Sequence, residues 1–170
     1  VVLDVFSRKV VGWALARTLH TKLAVTALER AIAERQPPPD LVHHSDRGLQ
    51  YASADYVAVL QSHHMIPSMS RPGNPYDNAF CESFMKTLKQ EEIYANVYRD
   101  LEDLRAKLAI FIEQYYNRQR LHSALQYCSP ERFEQQAQQN QAVALPAVPS
   151  VEFFVRSCTI EATASESREC

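Results

Sequence analysis

Apolar positions mark out the elements of this chain before any composition is counted. Val1 to Phe6 is apolar apart from Asp4, and Lys9 to Leu19 runs apolar or alternates through Val10, Val11, Trp13 and Leu15. With Ser7-Arg8 as a turn between them, these read as two antiparallel strands. Gly12 inside the second predicts a bulge or a close backbone approach. From Thr21, an N-cap candidate, Leu23, Ala24, Ala27, Leu28, Ala31 and Ile32 recur at helical spacing up to Arg35. Pro37-Pro38-Pro39 ends that helix, because proline lacks the N–H and clashes with the preceding turn.

Leu41-Val42-His43-His44 reads as a short strand that delivers Asp46 to its end, and Gly48 permits the turn that follows. Ser53 caps a predicted helix running to His63 or His64. Met65 to Met69 is another short strand, which Pro67 assigns to an edge or a strand end. The order strand, strand, helix, strand, helix, strand implies a mixed sheet with helices packed on it, an α/β architecture. Ser70 to Asp77 is a loop, with Asn74 and Pro75 as a helix start. A helix then extends to about Lys89, and another runs from Leu101 to Tyr115. Beyond Pro130 a short helical piece gives way to a glutamine tract. Ala142 to Pro149 reads as linker, Val151 to Val155 can pair as a strand, and the rest of the tail has little to bury.

Composition narrows the class without naming a partner. One ordinary domain fits 170 residues, and 46% apolar with 22% charged residues is a globular balance. No stretch reaches the roughly 20 apolar residues that span a bilayer. The start has neither a basic leader nor an initiating Met, so the chain is expected to be a fragment beginning inside a domain. Net charge is -2, so any nucleic-acid contact depends on local placement of cations. Cys81, Cys128, Cys158 and Cys170 form no C-x-x-C pair, which argues against a zinc ribbon or disulfide framework and for a reduced, cytoplasmic setting.

The candidate chemistry lies in two carboxylates. Asp46 follows a strand and Glu82 sits on a helix after 35 intervening residues. Elements so separated can converge at a cleft, and paired carboxylates suit magnesium or manganese, which take hard oxygen ligands. On its helix, Glu82 shares a sector about 60° wide with Lys86 and Lys89, a track suited to a phosphate backbone. Each feature also has a plainer reading: Ser45-Asp46-Arg47-Gly48 as an ordinary turn, and Glu82 with Lys86 as an exposed i,i+4 pair. A zinc site on the histidine pairs and Cys81 lacks H-x-x-x-H or C-x-x-C spacing.

Four motifs in one order resemble the integrase catalytic core of bacterial insertion-sequence DDE transposases, of the retroviral-integrase-like superfamily. They are Leu3-Asp4-Val5-Phe6-Ser7-Arg8-Lys9-Val10-Val11-Gly12-Trp13, His44-Ser45-Asp46-Arg47-Gly48, Ser70-Arg71-Pro72-Gly73-Asn74-Pro75-Tyr76-Asp77-Asn78-Ala79, and Glu82-Ser83-Phe84 with Leu88-Lys89. Tyr116-Asn117-Arg118-Gln119-Arg120-Leu121-His122 follows. The resemblance covers residues 1–134 and leaves 135–170 as polar linker and poorly ordered tail. It implies an RNase-H-like fold, a mixed sheet with helices on both faces followed by C-terminal helices. It also implies metal-dependent DNA cleavage and strand transfer at transposon ends, with Asp46 and Glu82 as the second and third acids of a triad holding two Mg²⁺ or Mn²⁺ ions.

The first acid belongs, by the same resemblance, on a strand before that of Asp4. The chain is therefore expected to lack an N-terminal strand and to be inactive alone. Asp4 itself matches the turn motif, where it fixes the hairpin. DNA contacts are expected from Arg47, Arg71, Tyr76, Lys86, Lys89, Arg118 and Arg120, and the complete protein is expected to form a homo-oligomer on DNA in the bacterial cytoplasm. The competing reading is a catalytically dead remnant that only folds, associates or binds DNA. Gln126 departs from the resemblance, standing where glycine is usual before Tyr127-x-Ser129-Pro130.

Overall fold

The computed structural model describes residues 1–18, 20–71, 78–143 and 154–157. Its first elements are strands β1 (Val2–Asp4) and β2 (Val10–Gly12), helix α1 (Thr21–Arg35), strand β3 (Val42–Ser45), helix α2 (Ala54–Ser62) and strand β4 (Ile66–Met69). Helices α3 (Ala79–Leu88), α4 (Leu101–Ile110) and α5 (Pro130–Val143) and strand β5 (Phe154–Ser157) complete it. The strand order across the single mixed sheet is β2-β1-β5-β3-β4. β1 is antiparallel to both neighbours, while β3 is parallel to β5 and β4.

Period-two alternation sends successive side chains to opposite faces. Val2 and Val11 join Ala24, Leu28, Tyr56 and Leu60 under α1 and α2. Leu3 and Val10 join Cys81, Phe84, Leu88, Phe111 and Ile112 under α3 and α4. Helices thus cover both faces, as the resemblance implies. Gly12 sits after the bulge that shifts the β1–β2 register, and a Cβ there would stand 2.2 Å from the Ala27 carbonyl oxygen. Only a glycine lets α1 approach the strand so closely. Pro67 lies on the edge strand β4, where its missing N–H costs no ladder bond.

Both helices of the second face end in π-helical turns, Lys89–Ile93 after α3 and Phe111–Tyr116 after α4. Periodicity alone predicted continuous or cleanly ended helices. Gln126 has φ 55, the left-handed region that glycine prefers, which gives the departure at that position a backbone reason.

The C-terminal part differs from the expected linker and tail. Residues 135–143 continue α5, which starts with Pro130 at its first position and Ser129 accepting from the Arg132 amide at 3.4 Å. Glutamine and alanine are good helix formers, so the polar tract extends this helix once it is nucleated. Phe154–Ser157 is the central strand of the sheet, and its first two residues belong to the Val151 to Val155 stretch expected to pair. The expected helix start at Asn74-Pro75 and Val151 to Phe153 of the expected strand lie outside the described residues. No described helix is long and apolar enough to cross a membrane.

Candidate active site

Strand β3 is built to present Asp46. His43 points into the first core, fully buried, with Nε2 2.8 Å from the Tyr56 hydroxyl. Burial lowers its pKa to about 4, with the neighbouring His44 adding to the shift. His44, on the opposite face, has Nδ1 3.0 Å from Ser68 Oγ and Nε2 3.1 Å from Ser70 Oγ. Asp46 is half-buried, and its Oδ1 accepts the Gly48 amide at 2.8 Å. This Asx turn is the plainer reading of the motif, and it uses only one carboxylate oxygen. Among the described residues Asp46 forms no ion pair.

Helix α3 buries Cys81, Phe84, Met85 and Leu88. Glu82 and Lys86 are exposed and Lys89 is half-buried, as the 100° step implies. Two contacts fix where the helix lies. The Arg8 guanidinium stacks 3.5 Å above the Phe80 ring, beside the β1–β2 turn. Met85 and Leu88 line a small cavity with Val1, Trp13 and Tyr51. Glu82 lies between these contacts and is in no ion pair among the described residues.

The donors fit a hard divalent cation in type, since both are carboxylates with oxygens free of cationic partners. They do not complete a site, because no group of three or more His, Cys, Asp or Glu that could hold a metal occurs among the described residues. Asp4 does not supply the deficit. Its side chain is 3% exposed, and Oδ2 lies 3.2 Å from an Arg35 nitrogen that also bonds Glu134. Its Oδ1 accepts the Phe6 and Ser7 amides at 2.9 and 3.2 Å. Burial raises its pKa, outweighing the attraction of Arg35 and the two amides.

The cations expected to touch DNA divide into groups. Arg47 is exposed, but its Nε donates to the Ser70 carbonyl at 2.9 Å. Arg71 is exposed, and Tyr76 lies outside the described residues. Lys86 and Lys89 occupy the outward sector of α3. Arg118 pairs with Glu131 at 3.2 Å. Arg120 grips Glu91 through Nε at 2.9 Å and Nη2 at 2.8 Å, and Tyr115 donates to the same carboxylate at 3.2 Å. The Arg120 bonds hold the Glu91 pKa below its ordinary value. Burial, then Arg120 and Arg8, lower His122 to about 4. Arg120 is thus a brace between the π-helical end of α3 and the segment after α4. Its spacing from Glu91, 29 positions, left no local signal in the sequence.

A cavity of about 420 Å³ runs along the β2 edge past Lys9, Trp13, Arg30 and Arg118, and is lined by neither Asp46 nor Glu82.

Two family models, both described as integrase core domain, match residues 1–75 and 63–130. The transposase for insertion sequence element IS904 of Lactococcus lactis is 43% identical over 132 residues, covering 78% of this chain and 52% of that protein. Transposase InsF for insertion sequence IS3fB of Escherichia coli is 44% identical over 136 residues, covering 80% and 47%. The chain spans about half the length of the curated relatives it matches. A chain in the simian T-cell lymphotropic virus intasome in complex with PP2A regulatory subunit B56 gamma superposes with TM-score 0.54 at 19% identity, covering 79% of this chain and 45% of that one. At that identity the likeness concerns the fold.

Proposed function

The chain belongs to the integrase core family of insertion-sequence transposases, and from that premise we propose that it contributes the second and third acids of a metal-dependent DNA strand-transfer site. The observation that carries this reading is the state of Asp46 and Glu82. Both are carboxylates without cationic partners among the described residues, in a chain whose other strand-end carboxylate, Asp4, is buried in an ion cluster.

The reaction is phosphoryl transfer in two displacements. Water attacks a phosphodiester and frees a 3′-hydroxyl, which then attacks a second phosphodiester and joins the strands. Each displacement breaks one P–O bond as another forms. Divalent cations, when bound, supply the charge that favours the nucleophile and the leaving oxygen. Asp46 and Glu82 are the residues that would hold them. Lys86 and Lys89 present their charge on the helix face that carries Glu82, where they hold phosphates. Arg71 and Tyr76 flank the same region in sequence. Arg118 and Arg120, already paired with carboxylates, contribute less. Transposon ends and target DNA are the substrates, and self-association accompanies the joining of two ends.

A second reading, a chain that binds DNA without cutting it, is favoured by the incomplete ligand set. Titration with Mn²⁺, followed by the electron paramagnetic resonance of the free ion, tests the site. Asp46→Asn and Glu82→Gln are each expected to weaken binding at least tenfold. Unchanged binding in both would remove the site assignment. Fluorescence anisotropy with a DNA duplex, alongside Mg²⁺-dependent nicking of the same duplex by the full-length protein, separates the two readings.

A further inference from the structure

Three of the residues around Asp46 are fastened to one partner. The Ser70 amide donates to the Ser45 carbonyl at 2.9 Å, extending the β3–β4 ladder one step past Met69. Ser70 Oγ also donates to that carbonyl, at 3.3 Å. His44 Nε2 lies 3.1 Å from the same hydroxyl, and Arg47 Nε donates to the Ser70 carbonyl at 2.9 Å. Because the Ser70 proton is directed at Ser45, the hydroxyl must accept from His44. Nε2 of His44 therefore donates to Ser70 Oγ, and in the neutral ring Nδ1 accepts from the Ser68 hydroxyl at 3.0 Å. Ser70 is 7% exposed, so water competes little for these bonds.

We infer that Ser70 is a positioning residue for Asp46, and that His44 and Arg47 act through it rather than on DNA. The Ser45 carbonyl before Asp46 and the Arg47 side chain after it are both held by Ser70, while the Asp46 carboxylate makes a single hydrogen bond among the described residues, to the Gly48 amide. That arrangement fixes the backbone from which Asp46 projects and leaves the carboxylate for a ligand, which is how a supporting shell preorganises a site. Arg47 is the sharpest case. Its Nε is committed to a backbone carbonyl, which anchors the guanidinium on Ser70.

The inference rests on the reading of Asp46 as a functional carboxylate, so its test includes a measurement independent of metal and DNA. Amide hydrogen exchange of Gly48, read by NMR on the full chain, reports how steadily Asp46 Oδ1 holds its acceptor position. Ser70→Ala and Arg47→Ala are each expected to raise Gly48 exchange about tenfold, with amides of α1 unchanged. Ser70→Thr, which keeps the hydroxyl, and Lys86→Ala are expected to leave it at the parent rate. Unchanged Gly48 exchange in both alanine variants would overturn the inference, as would equal acceleration throughout α1. In parallel, Arg47→Lys is expected to weaken Mn²⁺ binding several-fold while duplex affinity stays at the parent value. A loss of duplex affinity on Arg47→Lys, with Mn²⁺ binding intact, would make Arg47 a phosphate contact and overturn its assignment. If Asp46→Asn binds Mn²⁺ like the parent, the metal-site reading fails, and the Gly48 exchange still decides whether Ser70 positions the turn.

Discussion

Asp4 and Asp46 both stand at the ends of strands in one sheet, and they have been put to opposite uses. β1 runs against β3, so the two aspartates lie at opposite ends. The rung Asp4–Val155–His43 crosses the sheet at one end, and the rung Val2–Ser157–Ser45 leads out to Asp46 at the other. Three residues separate His43 from Asp46, about 10 Å along the strand, and two strand spacings separate β1 from β3. The two carboxylates therefore cannot share one cation. The Asp4 end is buried and ion-paired: Arg35 and Glu134 close over Asp4, and Tyr56 closes over His43. The Asp46 end keeps one carboxylate oxygen free and spends its hydrogen bonds on the surrounding backbone. The contrast teaches that a strand-end aspartate is read by its surroundings: burial with a cation ties it to the fold, and an unpaired carboxylate leaves it available to a ligand.

Within the sheet the two ends are joined through β5, the strand bonded to both β1 and β3. Breaking it is the largest perturbation expected. Val155→Pro removes a donor from the middle of the sheet and leaves a ladder acceptor unpaired, which should cost about 3 kcal/mol, read as a fall in the thermal midpoint with lost cooperativity. A variant as stable as the parent would show that the halves do not depend on β5.

Acid is expected to act next, and on the buried end. The folded pKa of His43 is about 4, below the ordinary value of 6.5. Above pH 6.5 it is neutral in both states; as pH falls from 6.5 toward 4, the unfolded chain takes a proton that the folded chain refuses. Stability should thus fall across that window, by up to about 3 kcal/mol. His122 loses stability in the same direction, while Asp4, with its raised pKa, gains as pH falls. Urea unfolding at pH 7 and pH 4.5 measures the difference, and His43→Gln should flatten it.

Much of this frame could be read from local pattern. The strands, the α1 and α2 stripes, the Ser53 cap accepting from the Tyr56 amide, the edge position of Pro67 and the tight approach at Gly12 all follow from neighbours a few residues apart. What could not be read depends on distant partners. Four residues of β5 pair with strands more than 100 positions away, and a short strand carries no mark of its place in a sheet. Arg118 and Arg120 read as free cations because Glu131 and Glu91 face them only after folding. Ser70 read as the first residue of a loop, since its bonds to His44, Ser45 and Arg47 span a parallel strand pair. The carboxylates themselves stood out because their sequence surroundings formed motifs in a fixed order.

Substituting the two aspartates in parallel sharpens the contrast. Asp4→Ala removes the acceptor of the Phe6 and Ser7 amides and one partner of the half-buried Arg35. It should cost about 2 kcal/mol, because the amides are left unsatisfied and the cation under-compensated. Asp4→Asn keeps the amide acceptor and relieves the burial of a charge, so its cost should stay within about 1 kcal/mol, with Mn²⁺ binding untouched. Asp46→Asn is expected to have the smallest effect on stability, within about 0.5 kcal/mol, since Asn still accepts the Gly48 amide and no ion pair among the described residues is lost. Yet it should remove the Mn²⁺ response that Asp4→Asn leaves in place. Chemical denaturation and Mn²⁺ titration on the same preparations check both axes. A large stability loss at Asp46 with intact Mn²⁺ binding would give the two aspartates the same structural role, because a carboxylate kept for a ligand is one the fold can lose without weakening.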